Sequence, residues 1–222
     1  MSFKIKNLFF DLDGTILDTS YDLCEALNYA LRKQGLQTKT IDEIKAALGN
    51  GLKKLAERSV PEDTPHFETI FEDFKTYYSE HLHVRTRWYP GIEKALKKLK
   101  NSGFDMFVIS NKFDPGVQKI FEFYNFGKYF TEAVGESKTT PKKPDPSMIN
   151  YLKTKYRLNL DESLLIGDSQ VDIQTARNCC IKCACVTWGF RSKDELLENN
   201  PDFIIDSPEE IVELLQTINH NK

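Results

Sequence analysis

Two carboxylates one residue apart, Asp11 and Asp13, stand directly behind the apolar run Leu8-Phe9-Phe10 and ahead of Gly14-Thr15. An apolar run of strand length that ends in acids, a glycine and a hydroxyl delivers reactive groups to the carboxyl end of a buried strand. Carboxylates placed there can serve as nucleophile, proton carrier or metal ligand. A lone Asp-x-Asp also fits a strand that merely runs into a polar turn. An EF-hand loop is excluded, because its glycine must fall at loop position six, which is Ile16 here.

Three later stretches add to the pair. Ser110-Asn111 follows the apolar strand Asp105-Met106-Phe107-Val108-Ile109, and Asp168 follows Leu164-Leu165-Ile166-Gly167, with Asp172 four residues on. Between them lies Lys143-Pro144-Asp145-Pro146. Alone, Lys143 would read as a solvated lysine beside Lys142, and Asp172 as a first-turn helix acid favoured by the dipole.

The elements that must position these groups alternate in type. Behind Asp18, Thr19 and Ser20, the possible caps, Leu23, Leu27, Ala30 and Leu31 fall on one helical face, and Gly35 ends that helix. Amphipathic segments follow at 41–48, 52–59 and 67–81, broken by Gly49-Asn50-Gly51, Pro61 and Pro65. Residues 16–87 therefore read as an all-helical insertion between core segments 1–15 and 88–222, with a boundary at Tyr89-Pro90-Gly91. Beyond it come a helix at 91–102, the strand from Asp105 into Ser110, a helix at 115–124, a short strand at 130–134 and a helix beginning near Asp145. The strand before Asp168, the helix of Asp172, a cysteine strand, Phe203-Ile204-Ile205-Asp206 and a helix at 208–218 complete the chain. Alternation of this kind predicts an α/β fold: a doubly wound parallel sheet of Rossmann type with an inserted helical cap. Asp11, Ser110 and Asp168 then share the carboxyl edge where ligands bind. Phe121, Phe123, Phe126, Tyr129 and Phe130 are expected to pack the core.

The chain has 222 residues, 40% hydrophobic and 28% charged, with a net charge of −3 and no massed Lys or Arg. This composition gives no footprint for nucleic acid and points to a small-molecule partner. No long apolar segment precedes Asp11, which predicts a cytoplasmic protein without a membrane anchor. Of five cysteines, four crowd into 179–185. Cys180 and Cys183 have metal-like spacing, but no second pair completes a site, and a buried strand of reduced thiols is expected.

In order and spacing, Asp11-Leu12-Asp13-Gly14-Thr15, Ser110-Asn111, Lys143-Pro144-Asp145-Pro146 and Gly167-Asp168-Ser169-Gln170-Val171-Asp172 resemble the four signature motifs of the haloacid dehalogenase-like hydrolase superfamily. The resemblance covers nearly the whole chain. Asp18-Thr19-Ser20-Tyr21-Asp22-Leu23, Thr187-Trp188-Gly189-Phe190-Arg191-Ser192 and Ile205-Asp206-Ser207-Pro208-Glu209-Glu210 look most like the phosphoglycolate phosphatase branch. Cys179-Cys180 departs from it, since that branch usually ends the helix in Ala-Gly.

The resemblance implies a Mg²⁺-dependent phosphatase. A phosphate monoester repels nucleophiles, so its charge must be neutralised while one carboxylate stays ionised for in-line attack. Asp11 would be the nucleophile, forming an aspartyl-phosphate, with Lys143 and Mg²⁺ as the cations. The metal would be held by the Asp11 carboxylate, the Asp13 carbonyl and the Asp168 carboxylate, with Asp172 on a metal-bound water. The Asp13 side chain would shuttle the proton; Ser110 and the Asn111 N–H would bind phosphoryl oxygens; Gly14 and Thr15 would shape the loop. Substrate choice would fall to a mobile cap through Gly49 and Gly51, whose N–H groups could receive a second anion. Lys53, Lys54 and Arg58 nearby read as solvated helix charges. The expected substrate is a small carboxylated ester such as 2-phosphoglycolate, with pyrophosphate or a nucleotide as the alternative. A phospho-accepting signalling module is the reading from another class, and rapid turnover would exclude it. Oligomeric state is not legible.

Overall fold

The computed structural model describes residues 4–49 and 51–220. The chain forms two compact units, one running up to Leu17 and again from Trp88, the other Asp18–Arg87.

The first unit is built on β1 (Asn7–Phe10), all four of whose residues are buried. After β2 (Leu17–Asp18) and β3 (Arg87–Trp88), which form a separate two-stranded sheet, come β4 (Asp105–Phe113), β5 (Glu132–Glu136), β6 (Ser163–Gly167), β7 (Lys182–Val186) and β8 (Phe203–Ile205). The main sheet has the order β5-β4-β1-β6-β7-β8 with every pair parallel. Alternate side chains of β1 leave on opposite faces, and both faces are apolar because both are covered. Phe9 stacks on Phe107 at 5.7 Å in a cluster with Leu165, and with Met148, Ile149 and Leu152 of a helix at Ser147–Tyr156. Phe10 meets Phe130 edge-on at 5.7 Å instead. Each such buried ring or aliphatic contributes about 1.5–3 kcal/mol, so β1 is fixed from both sides before its polar end is reached.

In the second unit the first four helices are α1 (Ser20–Lys33), α2 (Ile41–Ala47), α3 (Leu52–Ser59) and α4 (Phe67–Glu80). α1 packs on α4, with Tyr29 stacked on Tyr77 at 4.3 Å. Thr40 and Glu43 close a capping box on α2. Thr19 is the N-cap of α1 without a side-chain bond, while Asp18 accepts the Ser20 N–H at 3.1 Å. Buried Asp22 accepts the N–H groups of Arg85 and Thr86 and the Thr86 hydroxyl, which ties α1 to the segment after α4. Lys53 and Lys54 pair with Glu68 and Glu57 on exposed helix surface.

The remaining helices are α5 (Ile92–Asn101), α6 (Asp114–Phe123), α7 (Ser147–Tyr156), α8 (Gln170–Asn178), α9 (Lys193–Glu198) and α10 (Pro208–His220). Several boundaries differ from the sequence expectation. Ile16 and Leu17 stay with the sheet unit because their N–H groups both turn back to Leu12 O at 3.0 Å. β4 runs on through the polar residues to Phe113, β5 begins at Glu132, and α7 begins at Ser147, whose N–H is taken by Asp145 Oδ1 at 2.8 Å. Phe126 and Phe130 are buried, but Phe123 is 58% exposed, since it falls on the outer face at the end of α6. Among the described residues no helix is long and apolar enough to cross a membrane.

β7 carries Cys183 and Cys185 inward, and all five cysteines are free thiols. Cys180, exposed beyond the end of α8, has φ of 56°. It takes the left-handed position that closes the helix, with Ile181 N–H on Ala176 O at 3.0 Å. An L-residue there costs about 1–2 kcal/mol, part of which glycine would return as chain entropy. Cys180→Gly is therefore expected to stabilise the fold by about 0.5–1 kcal/mol. Urea unfolding reads this directly; an unchanged midpoint would mean that Cys180 carries no strain.

Candidate active site

β1 stops at Phe10, and the Asp11 N–H continues the ladder to Ile166 O at 2.9 Å, so Asp11 is the first residue beyond the strand and lies beside β6. Ser110 belongs to β4, Asp168 directly follows β6, and Asp172 lies in the first turn of α8. Since β4, β1 and β6 are neighbours, three adjacent strands bring these groups to one carboxyl edge.

Lys143, 5% exposed, joins two of the acids: Nζ is 2.6 Å from Asp11 Oδ1 and 2.7 Å from Asp172 Oδ1. The other Asp172 oxygen accepts the Ser169 hydroxyl at 2.7 Å. Asp168 Oδ2 accepts the Phe190 N–H at 2.7 Å. Gly14 passes this carboxylate so closely, at φ of 92°, that a Cβ would stand 2.2 Å from Asp168 Oδ2. No side chain could replace it without moving the acid.

The Asn111 side chain works as a clamp on the Lys143 backbone, accepting its N–H at 2.6 Å and donating to its carbonyl at 3.1 Å. Asp13 turns to a second lysine: Lys112 Nζ lies 2.8 Å from Asp13 Oδ1, and the Ser110 hydroxyl donates to Oδ2 at 3.3 Å. Thr15 is fully buried; its carbonyl accepts the Trp188 indole N–H at 3.1 Å, while its hydroxyl has no partner among the described residues. Gly49 and Gly51 belong to the helical unit, where Gly51 is the N-cap of α3 at φ of 84°. Asn50 between them lies outside the described residues.

The cluster is overloaded with negative charge. Burial raises the Asp11 carboxyl to about 7, against the pull of Lys143 and with a further push from Asp172 and Asp13. Burial, Asp11 and Asp172 drive Asp168 well above the usual carboxyl range. Burial would lower Lys143, but Asp11 and Asp172 outweigh it and hold the ammonium above the ordinary lysine value.

One oxygen each of Asp11, Asp168 and Asp172 lies within 4.8 Å of the others, the one such group of possible metal ligands among the described residues. When ionised, the four carboxylates of Asp11, Asp13, Asp168 and Asp172 face two ammoniums, Lys112 and Lys143, so two negative charges are left over. Hard oxygen donors with this charge fit a divalent cation such as Mg²⁺.

The sequence assigns no role to Lys112, Ser169, Trp188 or the Phe190 N–H, each of which makes a contact in the site. Lys112 follows Asn111 where the strand reads as ending in polar groups, so the continuation of β4 that buries it leaves no pattern. The Phe190 N–H is a backbone group, which residue type does not report.

Parallel-sheet topology with acids at the switch edge defines a doubly wound α/β protein with its ligand site at the carboxyl ends of the strands. The family model of haloacid dehalogenase-like hydrolases matches residues 8–186, and the chain belongs to that family. It is 31% identical to a phosphoglycolate phosphatase of Vibrio parahaemolyticus over 95% of this chain and 96% of that protein. It is 32% identical to the phosphoglycolate phosphatase of Aquifex aeolicus over 94% and 95%. A crystal structure of a protein from Lactobacillus delbrueckii subsp. bulgaricus superposes with a TM-score of 0.88 and 33% identity, covering 100% of both chains.

Proposed function

We propose that the chain hydrolyses a small phosphate monoester in a Mg²⁺-dependent reaction through an aspartyl-phosphate on Asp11, with 2-phosphoglycolate as the favoured substrate. The observation that carries this reading is the buried Asp11–Lys143–Asp172 ion triad set against Asp168. A purely structural pair would not gather three carboxylates around one lysine, since surplus buried charge destabilises the fold.

Asp11, Asp168 and Asp172 are the candidates to hold the cation, which when bound supplies positive charge against the phosphoryl oxygens. Lys143 aligns the Asp11 carboxylate and adds the fixed charge that lets it approach a phosphate dianion. Asp11 attacks phosphorus, the bond to the leaving oxygen breaks, and Asp13 gives that oxygen its proton. Water then attacks the phosphorus of the acyl phosphate, Asp13 takes a proton from it, and Asp11 is released with phosphate. Ser110 and the Asn111 N–H are proposed to bind phosphoryl oxygens, with the Asn111 side chain holding Lys143 in place.

The substrate assignment rests on the names carried by the relatives above. The four motifs contain no group for the leaving alcohol, so its recognition is assigned to the helical unit, acting as a cap, with Gly49 and Gly51 at the start of α3 as candidates. Hydrolysis of a panel of phosphate esters tests the reading. EDTA is expected to abolish turnover, excess Mg²⁺ to restore it, and phosphoglycolate to rank first by kcat/KM. Activity that persists in chelator contradicts the metal assignment; a nucleotide or pyrophosphate ranking above phosphoglycolate contradicts the substrate.

A further inference from the structure

We infer that Lys112 is a positioning residue for the Asp13 carboxyl, an assignment that rests on the acid-base role proposed for Asp13. The Lys112 side chain is only 3% exposed, and its Nζ stands 2.8 Å from Asp13 Oδ1. The other carboxylate oxygen receives the Ser110 hydroxyl at 3.3 Å, and that hydroxyl accepts the Lys112 N–H at 3.1 Å. Lys112 thus holds Oδ1 as an ion pair, with no hydrogen bond to that oxygen among the described residues, and Ser110 holds Oδ2 until its hydroxyl turns to a phosphoryl oxygen. Burying an ammonium is costly unless it is paired and hydrogen-bonded, so its place in the site calls for a partner, and Asp13 supplies one.

The fold makes room for this lysine. The register between β4 and β5 shifts between Ile109 and Phe113, the stretch that carries Ser110, Asn111 and Lys112. Opposite it, a Cβ on Gly135 would stand 2.7 Å from Lys112 O and 2.5 Å from Asp114 Cα, so β5 must present a glycine there. The two buried lysines also divide the work. Lys143 holds Asp11 and Asp172, while Lys112 holds Asp13, whose side chain keeps 21% exposure and lies outside the acidic triplet. A proton carrier acts only within hydrogen-bond reach of the oxygen it serves, and a carboxyl free to rotate would lose that reach.

Asp13→Asn, Lys112→Met and the double variant should be compared on two esters. One is an alkyl phosphate, whose leaving alcohol needs a proton; the other is p-nitrophenyl phosphate, whose phenolate leaves without one. Read by rapid quench as the rate of phospho-enzyme formation, since hydrolysis of the phospho-enzyme is common to both esters, Lys112→Met is expected to lower that rate on the alkyl ester about 30- to 100-fold with half-saturation within about threefold, and on the aryl ester by less than about fivefold. Asp13→Asn should show the same selectivity with a larger loss, and the double variant should be no slower than Asp13→Asn alone. Equal losses on both esters, or additive losses in the double variant, would make Lys112 a structural residue and overturn the inference. Weaker half-saturation with the rate of phospho-enzyme formation intact would make it a substrate-binding cation and overturn it equally. If Asp13→Asn slows phospho-enzyme formation selectively and Lys112→Met does not, only the lysine assignment falls; if Asp13→Asn slows phospho-enzyme formation from both esters alike, the acid-base reading falls and takes this inference with it. Lys112→Gln, which keeps one N–H for Asp13, carries the same comparison should Lys112→Met fail to fold, with a smaller selective loss expected.

Discussion

Asp11→Asn is expected to lower kcat by about 10⁴-fold or more, because an amide cannot form the acyl phosphate and residual rates after loss of a nucleophile come from binding alone. The same change should leave the cation-free fold at least as stable as the parent. It removes one of three buried carboxylates that crowd together, and Asp172 still partners Lys143. The pH dependence separates this from simple damage. A carboxyl whose folded value lies above its unfolded value favours the fold only while it keeps its proton. With burial raising Asp11 from 3.8 to about 7, the parent in EDTA should lose stability as pH rises through that interval. Asp11→Asn should show a shallower fall, as should the parent in Mg²⁺. Urea midpoints measured across the interval check this; a variant less stable than the parent at pH 7, or turnover within tenfold of it, contradicts the role given to Asp11.

Lys143→Met is expected to damage stability and rate together. Without the ammonium, Asp11 and Asp172 are left buried and uncompensated, and breaking a buried pair in this way costs about 3–5 kcal/mol. The deficit in EDTA should be smaller at pH 5 than at pH 8, since acid lets the carboxyls take up protons instead of carrying unpaired charge. The rate should fall about 10²- to 10³-fold, the scale on which loss of one charge-stabilising group is felt. A stable variant with unchanged kcat/KM would return Lys143 to the role of a packed lysine.

The carboxyl-edge residues were legible because strand patterns end where polarity begins. Leu8-Phe9-Phe10 and Leu164-Leu165-Ile166 are buried on both faces, so they read as continuous apolar runs, and the first polar residue after each is the one delivered to the edge. β4 obscured the same rule, because its ladder continues through Ser110, Asn111 and Lys112 past a register shift. What one residue does to another was less legible. The family resemblance points to the Asn111 N–H, yet its side chain grips the Lys143 backbone 32 residues away. Asp168 is held by a backbone N–H from Phe190, which any residue could provide. Two-residue strands such as β2 and β3 are too short for any period to show. Cys180 was visible as an anomaly in sequence, but only its φ shows that the cost is conformational.

The most direct test is to quench the enzyme in acid during steady turnover of phosphoglycolate in Mg²⁺, reduce it with borohydride, and locate the modified peptide by mass spectrometry. An acyl phosphate on Asp11 would be reduced to homoserine at position 11, in the parent and not in Asp11→Asn. Homoserine at position 13, or full turnover with Asp11 unmodified, would contradict the account.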